Sequence, residues 1–142
     1  MIELIDPIIS SNKIDISTGL NVHYLEASKN NNNQSIALLL HGFPELSFSW
    51  RKIIPILANE GFRVIAPDMR GYGLTSGGTK KYDSNISEYR LLNLTKDILS
   101  LISALKINKV DLLVGHDAGS SVAGTSALIR PDIFKSVVMM SA

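Results

Sequence analysis

Asp117 stands at the centre of Gly115-x-Asp117-x-Gly119, between an apolar run at 110–114 and a stretch of small residues. That is the spelling of a nucleophile held in a strained strand-to-helix turn, with aspartate where serine is more common. The spacing has a physical cause. Strand and helix pass close on either side of such a turn, so the residues two before and two after must be small. The turn projects its side chain at the carboxyl end of the strand, beside a helix N-terminus that favours a carboxylate. An ionised Asp117 held there can attack carbon and form an ester. The pattern taken alone fits a second reading equally, an N-cap aspartate at an ordinary strand–helix junction. His41-Gly42-Phe43-Pro44 follows an earlier apolar run at 36–40. Both loops then lie at the carboxyl ends of strands, where open α/β sheets place their sites.

The elements that must hold these loops are legible from periodicity. Ile14-Asp15-Ile16, a Thr18-Gly19 turn signal and Val22-His23-Tyr24-Leu25 read as a β-hairpin. The polar run at 29–35 reads as a surface loop. Residues 36–40, 63–66, 110–114 and 135–140 read as strands, the first apolar on both faces as in a strand buried between two layers, and the second also buried. Leu46, Trp50, Ile53, Ile54 and Leu57 have helical spacing, closed by Gly61. Helical spacing returns at Leu91, Leu94, Ile98, Leu101, Ile102 and Leu105, after a glycine-bearing loop from Asp68 to about Asp83. Small residues running to Arg130-Pro131 predict a helix packed close to the sheet. This alternation of strand and helix demands a largely parallel sheet with helices on both faces.

Three stretches together resemble the epoxide hydrolase branch of the α/β-hydrolase fold. They are His41-Gly42-Phe43-Pro44-Glu45 with Ser49-Trp50-Arg51, Ala66-Pro67-Asp68-Met69-Arg70-Gly71-Tyr72-Gly73, and Val114-Gly115-His116-Asp117-Ala118-Gly119. Their order and separation also fit, so the resemblance covers the chain from about residue 13. It implies an α/β-hydrolase fold, here the N-terminal part of a single domain over 1–142, ending after about the sixth strand. It implies Asp117 as nucleophile, with the backbone N–H groups of Phe43 and Ala118 as the oxyanion donors, and a cis Phe43–Pro44 bond. The implied substrate is a small molecule, an epoxide, opened to an ester that water then hydrolyses, with no cofactor and no metal. Family members often carry an aromatic residue where this chain has Ala118. Haloalkane dehalogenases usually have asparagine at the Phe43 position and tryptophan after the nucleophile. Fluoroacetate-type dehalogenases can carry the His-Gly-Phe-Pro loop and remain an alternative, as does a truncated binding form without catalysis.

In this fold the acid and the histidine follow the nucleophile along the chain. The 25 residues after Asp117 contain no histidine, and their one acid, Asp132, follows Pro131 in a predicted surface turn. The family's lid, with its epoxide-activating tyrosines, is also outside this sequence. His116 adjoins Asp117 along the strained turn and should point away from it. His41 reads as structural, and His23 belongs to the hairpin. None is a convincing general base, so the chain is expected to be inactive alone. Gly71-Tyr72-Gly73 with Gly77 and Gly78 imitates a nucleotide loop, but its spacing fails both glycine fingerprints. Asp68 and Arg70 either pair or shape their loop.

Composition excludes other classes. The chain has 142 residues, 45% hydrophobic and 19% charged, which suits one globular domain. A net charge of +1 gives no electrostatic reason to bind nucleic acid or an anionic membrane. The absence of cysteine removes disulfides, thiolate metal sites and cysteine nucleophiles. No apolar run approaches the roughly 20 residues of a membrane helix, and the start lacks the pattern of a signal peptide. A soluble cytoplasmic protein is expected, and the sequons at Asn33, Asn85 and Asn93 read as chance. The last strand, with Val137-Val138-Met139-Met140, is expected to present an unpaired apolar edge through which the chain self-associates.

Overall fold

In the computed structural model the described residues are 5–29, 34–79, 81 and 85–141. The polar run at 30–33, with the sequon at Asn33, and the far end of the glycine-bearing loop at Asp83 lie outside them. Strands β1 (Ser10–Asp15) and β2 (Asn21–Ala27) form the expected antiparallel hairpin, with Ser11 opposite Leu25. β2 then pairs antiparallel with β4 (Phe62–Pro67). β4, β3 (Ser35–Leu40), β5 (Leu112–His116) and β6 (Val137–Met140) run parallel, and the sheet order is β1-β2-β4-β3-β5-β6.

The apolar runs are buried on both faces because both faces are covered. Leu38, Leu40, Ile65 and Leu113 pack with Ile98 and Ile102 of α2 (Leu91–Ala104) and Val122 and Ala123 of α3 (Ala118–Ile129). The alternate residues Ala37, Leu39, Val64, Ala66 and Val114 pack on the other face with Trp50, Ile54 and Ala58. Leu38, Leu39, Leu40, Val64, Ile65 and Ala66 are all fully buried.

The boundaries differ from the periodicity reading: the first strand, read at Ile14–Ile16, runs over Ser10–Asp15, and three later elements also shift. The helix expected over 46–57 is a 3₁₀ turn, Ser47–Trp50, followed by a short α1 (Ile54–Asn59). Pro55 stands in the first turn of α1, where its missing N–H is tolerated, and its ring bars a helix that would continue from the turn before. The true stripe is therefore Trp50, Ile54 and Ala58, while Leu46 and Ile53 stay exposed. The strand expected at 110–114 runs instead from Leu112 through His116, because Gly115 and His116 pair with Met139 and Met140 of β6. Val110 makes only an isolated bridge to Phe134, and β6 correspondingly begins at Val137 rather than Lys135. The sheet consequently delivers its backbone right up to Asp117.

Candidate active site

The register of the parallel strands brings the two loops together. Leu40, the last residue of β3, pairs with Gly115 of β5, so the chain leaves both strands side by side. Asp117 then turns the chain into α3 with φ 52° and ψ −121°, outside the regions open to most residues. Such a conformation costs about 1–3 kcal/mol and persists only where its surroundings over-determine it.

Those surroundings are visible at the flanking glycines. A Cβ on Gly119 would overlap the carbonyl oxygen of Leu40 and stand 2.6 Å from that of His41. A Cβ on Gly115 would stand 2.7 Å from the Cα of Ser120. These neighbours are backbone and cannot swing aside. Gly119→Ala is therefore expected to cost about 3 kcal/mol, at the upper end for overpacking, read as a shift in urea-unfolding midpoint. A change below about 1 kcal/mol would mean that the turn yields more easily than this packing allows.

Asp117, Phe43 and Ala118 meet at one oxygen. The Phe43 N–H donates to Asp117 Oδ1 at 2.9 Å, and the Ala118 N–H donates to the same atom at 2.6 Å. Asp117 Oδ2 takes no described hydrogen bond. An ordinary N-cap has β-region backbone and accepts from the second or third helical N–H. Asp117 instead has positive φ and accepts from the first helical residue and from a residue on another loop. The Phe43 and Ala118 N–H groups, in that order of effect, hold the Asp117 carboxyl below the usual carboxylate range. Asp117 is partly exposed to solvent, and Phe43 beside it is 68% exposed. The Phe43–Pro44 peptide is cis.

Two further contacts lock the loops, and neither was singled out in the sequence. Glu45 Oε2 accepts from the Gly42 N–H at 3.2 Å and lies 2.9 Å from His116 Nδ1, bridging the two loops. The hydrogen bond with His116 is the main influence holding the Glu45 carboxyl down. Ser120 is fully buried; its Oγ stands within hydrogen-bond distance of the carbonyls of Gly115 and Met140, which compete for its one proton, and accepts the Met140 N–H. The Asp117 N–H also donates to the Met140 carbonyl, at 2.9 Å. A serine in the first turn of a helix was the only signal available for Ser120.

None of the three histidines addresses Asp117. His116 points to Glu45. His41 is fully buried, with Nδ1 on the Gly42 carbonyl and Nε2 accepting the Met69 N–H, both at 2.9 Å. Burial lowers its pKa, and its ring stands edge-on to Tyr72 at 4.9 Å. His23 lies against Asp68 in the hairpin sheet. Asp68 and Arg70 do not pair with each other. Asp68 accepts from the N–H groups of Ser47 and Leu74, whereas Arg70 makes a two-pronged pair with Asp97 and reaches Glu88. The reason is the partners available: His23 of β2 and the Ser47 and Leu74 N–H groups occupy Asp68, and α2 presents Asp97 to Arg70. Asp132 is an exposed partner of Arg130, as expected of a surface turn. Among the described residues no helix is long and apolar enough to cross a membrane.

Residues 38–142 match the family described as alpha/beta hydrolase fold. The chain is 41% identical over 128 residues to an epoxide hydrolase of Caballeronia sordidicola, covering 89% of this chain and 36% of that protein. A laboratory-evolved variant of potato epoxide hydrolase superposes with a TM-score of 0.85 at 36% identity, over 94% of this chain and 40% of the other. An epoxide hydrolase from Vigna radiata gives 0.84 at 36% identity, over 95% and 40%. The chain thus spans about two fifths of the length of these relatives.

Proposed function

The chain belongs to the α/β-hydrolase fold family, in its epoxide hydrolase-like branch, and on that premise we propose that residues 1–142 are the N-terminal part of one hydrolase domain in which Asp117 attacks an epoxide. The observation that carries this reading is the pair of N–H groups, from Phe43 and Ala118, on a single oxygen of Asp117.

The two oxygens of the carboxylate then have different work. Oδ2, without a described partner, bonds to an epoxide carbon as one ring C–O bond breaks, and the ring oxygen, still held by the neighbouring carbon, becomes an alkoxide that takes a proton from solvent water. Oδ1 becomes the carbonyl oxygen of the resulting ester. When water attacks the ester carbon, negative charge develops on Oδ1, where the two donors already stand. Water attack needs a base, and His23, His41 and His116 are each engaged elsewhere. The 142-residue chain is accordingly expected to stop at the ester. The test is covalent. Incubation with a reactive terminal epoxide should add one equivalent to Asp117, located by peptide mass mapping, with no continued diol formation. An adduct on other carboxylates, or none, sinks this reading. Repeated turnover would retain Asp117 but require a base within the chain.

A further inference from the structure

Ser11, His23 and Asp68 form a second hydrogen-bonded chain, on elements that the chemistry at Asp117 does not use. Ser11 Oγ lies 2.8 Å from His23 Nε2, and His23 Nδ1 lies 2.7 Å from Asp68 Oδ2. Proton direction along it follows from its acidic end. Burial works to raise the Asp68 pKa, but the N–H groups of Leu74 and Ser47 and the contact with His23 outweigh it and hold the carboxyl below its usual range. An ionised Asp68 can only accept, so Nδ1 carries the imidazole proton. In the neutral ring Nε2 is then the bare nitrogen, which accepts from the Ser11 hydroxyl. That is the polarity of a serine–histidine–aspartate relay, which is recognised by geometry and roles rather than by chain order.

The surroundings fit the same role. His23 and Asp68 are 5% and 2% exposed, and the Ser47 and Leu74 N–H groups, each at 2.9 Å, fix the carboxylate in place. Ser11 is exposed on β1, the edge of the sheet, whose outer side has no strand neighbour among the described residues. All three residues line an open hollow of about 450 Å³ whose walls include Leu25, Leu46, Phe48 and Leu74. Apolar walls with a few convergent polar groups are the usual make-up of a small-molecule site.

We propose that Ser11 is a second nucleophile, with His23 as its general base and Asp68 positioning His23, and that the site takes carboxylic esters bearing an apolar acyl group. Ser11 Oγ bonds to the ester carbonyl carbon as its proton passes to His23 Nε2. The ester C–O bond breaks, and the alcohol leaves with that proton. Water, giving its proton to the same nitrogen, then releases the carboxylic acid and restores Ser11.

Diisopropyl fluorophosphate tests the assignment on the intact chain, since serine oxygen displaces fluoride from phosphorus by the same proton transfer. Ser10 is an internal control. It sits beside Ser11 in the same strand, its hydroxyl is directed to the Glu26 carbonyl, and it touches no histidine. Peptide mapping is expected to show Ser11 labelled at least about 100-fold faster than Ser10, the lower range of general-base assistance. In His23→Gln the ratio is expected to fall toward one. Asp68→Asn should also reduce it, because an amide nitrogen turned to Nδ1 donates where the carboxylate accepted. General loosening of the hairpin would change both serines together and leave the ratio alone. Ser11 labelled no faster than Ser10 in the folded wild-type chain overturns the proposal without any variant having to fold, as does an undiminished ratio in a folded His23→Gln chain.

Discussion

Asp117→Asn is expected to abolish epoxide labelling while leaving the urea-unfolding midpoint nearly unchanged. The two halves of this result separate a nucleophile from a cap. The asparagine carbonyl can still accept the N–H groups of Phe43 and Ala118 that Oδ1 accepts. Asparagine also tolerates positive φ nearly as well as aspartate. What it lacks is a second anionic oxygen to attack carbon. The charge on Asp117 is partly exposed, so removing it recovers little desolvation energy, and no marked stabilisation should follow. The pH dependence has a definite sign. The two donors depress the folded pKa, so the carboxylate persists as pH falls through the ordinary aspartate value near 3.9, and labelling declines only below it. The associated stability is present above the unfolded pKa and is lost as pH falls through the lower folded one. Intact-mass kinetics and urea unfolding on the same preparations check both halves. Labelling that survives in Asp117→Asn would remove this residue from the mechanism.

The 142-residue chain is also expected to self-associate through β6, and Val138→Lys is expected to return it toward the monomer. β6 is the last strand of the described sheet, with β5 on one side only. Val138, Met139 and Met140 are 44%, 50% and 37% exposed. Beside the strand, Leu128 of α3 at 84% and Leu91 of α2 at 41% line one hollow with Val137 and Met139. An open parallel edge with an apolar surface beside it is a template for pairing with another chain. The nearest charge, Lys135, precedes the strand and is paired with Asp111. Val138 is the position to change because it lies opposite Val114 on the α1 side, away from the Met140 carbonyl that receives Asp117 and Ser120. Size-exclusion chromatography with light scattering should show species well above 15.5 kDa for the wild type. A monodisperse wild-type monomer that melts cooperatively would refute the expectation and strengthen the case for a binding role without catalysis.

Much of this architecture was legible before folding because its causes are local. A strand covered on both faces must be mostly apolar, which exposed β3 and β4 in the sequence. A tight strand-to-helix turn needs small residues two before and two after its apex, which singled out Asp117 between Gly115 and Gly119. The boundaries were less legible, because periodicity alone does not weigh a proline. Leu46 and Ile53 matched a helical repeat, yet Pro55 broke it and left Trp50, Ile54 and Ala58 as the buried stripe.

What periodicity could not decide is which distant side chains meet. The sheet order β1-β2-β4-β3-β5-β6 sets Leu40 beside Gly115 and so puts the Phe43 N–H on an aspartate 74 residues later. The same order lays β2 against β4, which carries His23 to Asp68 and leaves Ser11 at the edge with its hydroxyl on the imidazole. Residue type and spacing placed Asp117 at a tight strand-to-helix turn, because backbone sterics act between near neighbours, and left a strained nucleophile and an ordinary N-cap as equal readings. Only the tertiary structure decided which of its oxygens receives the donors, and that Asp68 turns to His23 rather than to Arg70. Hydrogen bonds between remote residues depend on strand order, and several strand orders satisfy the same pattern of apolar and polar residues.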